Sequence, residues 1–299
     1  MENTNKFAGM SEQNVESAIK RQKVMSIVTK VLIYVFLVLI AVSVVFPFYW
    51  MVITSLKTDY EYNLVVPTLY ITHGFDFDNY VQAIKVGDFL QNLVNTLLVA
   101  FISTLLSMVI IILAAFAFAR LEFKGKNILF MLLLATMMVP GELFTITNYS
   151  TVSNFGWTNS LMVLIVPFLV SVFYIYLLRN TFKQIPDSLY YAAKVDGTSD
   201  LKYLIKVMLP MSSSTIISIT ILKVMGSWNA YIWPRLVNKN ELRLISNWLT
   251  NGFVDPQTNL VNYPMKMAGV VIVSLPLLLM FILFRKYIMR GVSRSGIKG

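Results

Sequence analysis

Few residues of this sequence could do chemistry, and their spacing rules out most of it. The 299 residues include one histidine, His73, and no cysteine. Thiol catalysis, disulfides and cysteine metal sites are excluded, and an acid–base or metal centre built on histidines lacks its second member. A phosphate-binding loop needs Gly, four residues, then Gly-Lys-Ser/Thr. The one Gly-Lys pair is Gly125-Lys126; Arg120 stands where the first glycine belongs and Asn127 where the hydroxyl belongs. This chain does not hydrolyse ATP by itself. What remains is Lys223, a lone charge inside the apolar run Val207–Pro234, and the polar-aromatic set Trp228, Asn229 and Tyr231 near the end of that run. A lysine at mid-span costs about 2.5–3.5 kcal/mol on insertion scales, so Lys223 should face a bundle interior or a watery cavity. It could line a path and favour an acidic or hydroxyl-rich solute, or it could hydrogen-bond helix carbonyls at an interface.

The elements that must position these residues are membrane spans. Hydrophobic residues make up 57% of the chain and charged residues 13%, against about 25% charged in soluble domains. Apolar runs long enough to cross ~30 Å of hydrocarbon are Val31–Leu56, Phe89–Ala119, Asn127 across Glu142 to about Tyr149, Leu161–Leu178, Val207–Pro234 interrupted by Lys223, and Met267–Phe284. The expected fold is therefore all-α integral membrane, with six transmembrane helices over 29–289. The polar segment 1–28 lacks the apolar core of a secretory signal and reads as a cytoplasmic tail; 290–299 forms a second one. Six spans put both termini on one side. Lys57, Lys85, Arg235, Lys239, Arg243 and Lys266 fall on one face, Lys223 in a span, and all other lysines and arginines on the face of the termini. The positive-inside rule makes that face cytoplasmic. The net charge of +10 thus needs no nucleic-acid partner.

One internal loop, 179–207, exceeds the usual helix–helix connection of about 2–8 residues. Pro186 suits a first helical turn, and Asp187 favours the positive end of the helix dipole. Asp196-Gly197 is a stop signal. Thr198 or Ser199 can cap a second helix running to about Leu209-Pro210. The expectation is a short helix, a sharp glycine turn and a second helix. Its small residues Ala192 and Ala193 suit close approach to a partner, or packing on the chain's own bundle.

"AAKVDG" (Ala192–Gly197) followed by Leu209-Pro210 resembles the EAA loop of ABC importer permeases. "PFYWMVITSLK" (Pro47–Lys57), "AAFAFARLEFKGKNILFMLLLATMMVP" (Ala114–Pro140), "GSWNAYIWP" (Gly226–Pro234) and "RGVSRSGIKG" (Arg290–Gly299) are similar, in order, to stretches of the carbohydrate, maltose permease G-like, subfamily. The resemblance covers nearly the whole chain. It implies the type I ABC importer (MetI-like) permease fold and a role as permease subunit of a bacterial plasma-membrane importer for a sugar or oligosaccharide. It also implies a second, non-identical permease, an ATPase pair holding the ATP-Mg, an extracellular solute-binding protein, and no cofactor in this chain. The loop residues it marks as an ATPase-coupling element are Tyr191, Ala192, Ala193, Asp196, Gly197, Leu209 and Pro210; Tyr191 stands where the family has Glu. By the same resemblance Arg235–Lys266 reaches toward the binding protein, and the tail ending at Gly299 toward the ATPases.

Aromatic faces with an amide suit a sugar path at Trp228, Asn229 and Tyr231, with Lys223 deeper in the same span. An aromatic belt explains the two aromatics nearly as well. Glu142 reads as an external helix-end residue and His73 as a solvated one. An ABC permease for another solute class is the alternative. A secondary transporter would carry paired intramembrane carboxylates or broken repeats, and a membrane enzyme clustered His, Asp or Glu; neither pattern is present.

Overall fold

In the computed structural model, residues 12–239, 242–255 and 259–293 are described. Among them every regular element is helical, apart from one isolated bridge between Val254 and Val261. Three helices are long and apolar enough to cross a bilayer: α1 (Glu12–Ser55), α4 (Phe89–Ala119) and α15 (Tyr263–Ser293). Between α1 and α4 lie the short helices α2 (Asp59–Tyr62) and α3 (Asp78–Lys85).

Three further segments reach span length only as bent pairs. The third apolar run is α5 (Lys126–Thr136), then a 3-10 turn (Gly141–Phe144) and α6 (Thr145–Asn154), bent by 82°. The fourth is α7 (Met162–Ile165), continued by a 3-10 turn containing Pro167, then α8 (Val172–Lys183), bent by 44°. The fifth follows α9 (Asp187–Val195). It comprises α10 (Asp200–Tyr203), a π-helical turn (Leu204–Met208), α11 (Leu209–Met211) and α12 (Ser213–Trp228), with an 82° corner at Ser212. Two short helices, α13 (Ile232–Val237) and α14 (Ile245–Trp248), precede α15. The third and fifth runs are therefore not the straight rods their composition suggests. Proline explains both corners: Pro140 caps the 3-10 turn, and Pro210 removes an N–H where the ladder has already widened to π geometry.

Helix α1 runs without a break from Glu12 through the polar stretch into the apolar one, and α15 continues to Ser293. The C-terminal residues 294–299 lie outside the described residues, as do 1–11.

Helix α4 is the central post, and its inward face is the polar one. Asn92, Asn95, Thr96, Ser103, Thr104 and Ser107 are buried, while Leu97, Phe101, Leu105 and Val109 are exposed. This is the pattern of a helix whose apolar side meets lipid and whose small and polar residues let neighbours approach. Asn95, Thr96, Ser103 and Ser107 find partners across the bundle. Ser107 Oγ donates to the Leu169 carbonyl at 2.6 Å, Ser103 and Ser227 share a 3.3 Å hydrogen bond, and Thr96 Oγ1 accepts from the Ile245 N–H at 2.7 Å. By contrast the apolar stretch of α1 has no buried side chain, and the helix packs mainly along α15.

The residues between α1 and α4 form a compact polar knot. Glu61 is fully buried and accepts from Thr68 Oγ1 (2.8 Å), Thr72 N (2.9 Å) and His73 N (3.0 Å). Lys57, also buried, donates to Thr68 Oγ1 at 2.8 Å, stands 3.9 Å from Glu61, and lies over the Trp50 ring. His73 remains exposed at the rim of this knot.

Candidate functional site

Two places gather the residues singled out by sequence. One is the α9–α10 corner. Pro186 stands at the N-cap, one position earlier than a first-turn role, and Asp187 opens the helix. The helix ends in a paired C-terminal motif: Thr198 N–H to Ala193 O (2.8 Å) and Gly197 N–H to Lys194 O (3.0 Å). Gly197 takes φ +69°, the left-handed conformation this closure requires. Ser199, with extended backbone, caps α10 by accepting from the Lys202 N–H.

From behind, the corner is locked. Tyr190 donates to Asp200 Oδ1 at 2.8 Å, Lys194 pairs with the same oxygen at 2.6 Å, and the Tyr190 ring meets buried Tyr203 edge-on at 5.2 Å. Burial, together with donation to the Asp200 carboxylate, raises the Tyr190 phenol. Ala193 packs inward against the same core, as does Leu209, while Ala192 faces out and Pro210 lies at the outer corner. The two alanines thus do not form one patch. The outer surface is instead apolar and larger: Tyr191 is 65% exposed, Val195 87% and Leu201 58%.

The second place is a cavity of about 700 Å³ between α4, α6, α12 and α13. Lys223, Asn229 and Tyr231 line it, together with Ser103, Glu142, Asn148 and Trp233. Lys223 Nζ donates at 2.9 Å to the carbonyl of Phe168, which the break between α7 and α8 leaves out of a helical ladder. Both readings of Lys223 therefore meet in one side chain: its stem lines a cavity and its head satisfies a carbonyl. Asn229 is the C-cap of α12 with its side chain exposed, and Tyr231 precedes α13 with its hydroxyl accepting from Arg235.

Trp228 lies elsewhere. It is buried in an apolar cluster with Trp248, Phe253 and Met265, and its indole N–H donates to the Val273 carbonyl at 3.2 Å. Val273 stands next to Ile272, whose carbonyl Pro276 leaves without its helical donor. Adjacent Trp228 and Asn229 point to opposite surroundings, which the apolar run could not indicate.

Sequence reasoning missed Glu142 and Asn148 as cavity residues because the 82° bend that folds them inward is not encoded by span length. It also missed Arg120. This residue, the C-cap of α4, is almost wholly buried and bridges to Asp187 at the start of α9. Its only sequence signal is its place as the first charge after a long apolar helix.

The sequence profile described as "Binding-protein-dependent transport system inner membrane component" matches residues 107–294, and the chain belongs to that family. It is a membrane transport component of the ABC permease class and not an enzyme. Among curated relatives, the probable ABC transporter permease protein MG189 of Mycoplasma genitalium is 31% identical over 295 residues, covering 93% of this chain and 91% of that one. The arabinooligosaccharides transport system permease protein AraQ of Bacillus subtilis is 27% identical, covering 91% and 97%. The trehalose/maltose transport system permease protein MalG of Thermococcus litoralis is 26% identical, covering 91% and 98%. Among solved structures, a chain of a bacterial ABC transporter involved in import of the acidic polysaccharide alginate superposes with a TM-score of 0.78 at 21% identity, covering 89% of this chain and 97% of that one. That likeness carries the fold.

Proposed function

We propose that this chain is one permease subunit of an ATP-driven importer for a sugar or oligosaccharide in a bacterial plasma membrane. It crosses the membrane six times, each bent pair counting as one span, with both termini cytoplasmic. The observation that carries the reading is the α9–α10 corner: an apolar outer surface of Tyr191, Val195 and Leu201 held rigidly from behind. An exposed apolar patch on a charged face marks a protein interface. Its occupant is an ATPase subunit, which supplies the ATP-Mg this chain has no residues to bind. Tyr191 gives that contact an aromatic face where a carboxylate is usual.

The cavity lined by Lys223, Asn229 and Tyr231 is this subunit's half of the path, completed by a second, non-identical permease. The loop carrying α13 and α14 meets an extracellular solute-binding protein. Relatives named for arabinooligosaccharides, diacetylchitobiose, polygalacturonan/rhamnogalacturonan and trehalose/maltose support the sugar assignment, and the mix of amide, hydroxyl and aromatic groups in the cavity suits it.

The test is Val195→Arg. A charge at this exposed position leaves the bundle core untouched. Co-purification with the ATPase subunits is expected to be lost while thermal stability of the permease is unchanged; full assembly would defeat the docking role. Ala193→Arg is a poorer probe, because Ala193 faces the core and the change would unfold the corner as well.

A further inference from the structure

One guanidinium joins three helices. Arg120 ends α4, and its side chain is 4% exposed. One terminal nitrogen donates to Asp187 Oδ1, on the first residue of α9. The other donates to the Phe182 carbonyl in the last turn of α8 (2.8 Å) and to the Ile185 carbonyl in the linker. A second arginine runs the opposite way: Arg179 of α8 donates to the Phe118 carbonyl of α4 at 3.1 Å and stacks over Phe130 of α5, its guanidinium carbon 3.9 Å from the ring centre. The pair of arginines clamps α4 to α8. The Arg120–Asp187 contact extends the clamp to α9, beside the apolar packing of Tyr190 and Ala193 on the same core.

We propose that Arg120 and Asp187 form a strut that fixes the docking helix α9 to α4, making α4 the rod that carries movement to the cavity. This rests on α9 being the ATPase-docking helix. The rod is continuous: from Arg120 back to Ser103, which lines the cavity, α4 runs about 25 Å without a break. The geometry needs an arginine. Three acceptors in different directions match a planar fork and not the single point charge of a lysine. A desolvated charge that lost its carboxylate partner would not hold α9 in place. Asp187 itself is 71% exposed, so its removal leaves the core packing intact.

The chain has no cysteine, so two spin labels can be placed without background, at Leu113→Cys on the lipid-facing side of α4 and Val195→Cys on α9. In the full chain in nanodiscs, Asp187→Ala is expected to broaden the distance distribution between them. In the unlabelled assembled transporter, Asp187→Ala is expected to keep the ATPase bound but lose stimulation of ATP hydrolysis by the solute-binding protein. Arg120→Lys should behave like Asp187→Ala. Adding Ser188→Glu to Asp187→Ala restores a negative charge to the first turn of α9 but not the strut, so the broadening should persist. A narrow distribution in Asp187→Ala, narrowing by Ser188→Glu, or stimulation at the unaltered level in Asp187→Ala would each overturn the strut. Failure of the ATPase to bind the unaltered permease would instead remove the docking role, leaving the label measurement to decide the strut alone.

Discussion

The ammonium of Lys223 lies 2.9 Å from the carbonyl oxygen of Phe168, on the rim of the large cavity. The break between α7 and α8 exposes that carbonyl, and the lysine reaches across from α12 to satisfy it. Ser107 from α4 does the same for Leu169, and the Trp233 indole for Val163. Three donors from three helices thus repair one broken span, as the absence of water in hydrocarbon demands.

The first prediction concerns this contact. Lys223→Met removes the donor, and a net loss of about 1 kcal/mol is expected. Thermal stability should fall, and uptake of acidic and neutral oligosaccharides should fall together. A loss confined to acidic solutes would show the ammonium acting on the solute rather than on Phe168.

Trp228→Phe deletes the N–H that serves Val273 and trims the indole to a phenyl ring within the apolar cluster. The cost should be about 1–3 kcal/mol, for the lost hydrogen bond and the small cavity together. Melting temperature is the readout, with KM for uptake unchanged. A raised KM at unaltered stability would put Trp228 on the solute path.

Gly197→Ala should destabilise the α9–α10 corner by about 1 kcal/mol. The methyl itself would meet nothing within 4 Å, so the cost is backbone strain at φ +69° alone. Faster hydrogen exchange over 193–200 would reveal it. Exchange equal to the unaltered chain would mean the turn tolerates a side chain there.

Glu61 predicts an acid limb of stability. Burial by itself would raise its pKa, but the hydrogen bonds from Thr68, His73 and Thr72 outweigh this and hold it at about 2, below the ordinary 4.5. Because the folded value is the lower one, its contribution is complete above pH 4.5 and drains away as pH falls toward 2. The full shift corresponds to about 3 kcal/mol. Melting curves between neutral and acid pH should drop over that window, and Glu61→Gln should start lower and drop less. An identical acid limb in Glu61→Gln would assign the effect to other carboxylates.

The sequence by itself determined what depends on neighbours in the chain. Apolar runs marked where spans lie, because hydrocarbon tolerates no unpaired backbone over a helical crossing. Asp196-Gly197 and Ser199 set the turn between α9 and α10, because a left-handed residue and a side-chain cap act within three or four positions. The tertiary structure decided the rest. It bent the third and fifth runs by 82° and turned Ala193 inward and Ala192 outward. It buried Trp228 while leaving Asn229 on the cavity. It also joined Arg120 to Asp187, 67 residues apart in sequence. Successive helical residues point about 100° apart, so which one meets a neighbour depends on helices far away in the chain. A buried charge likewise gains its partner only when two distant ends are packed together.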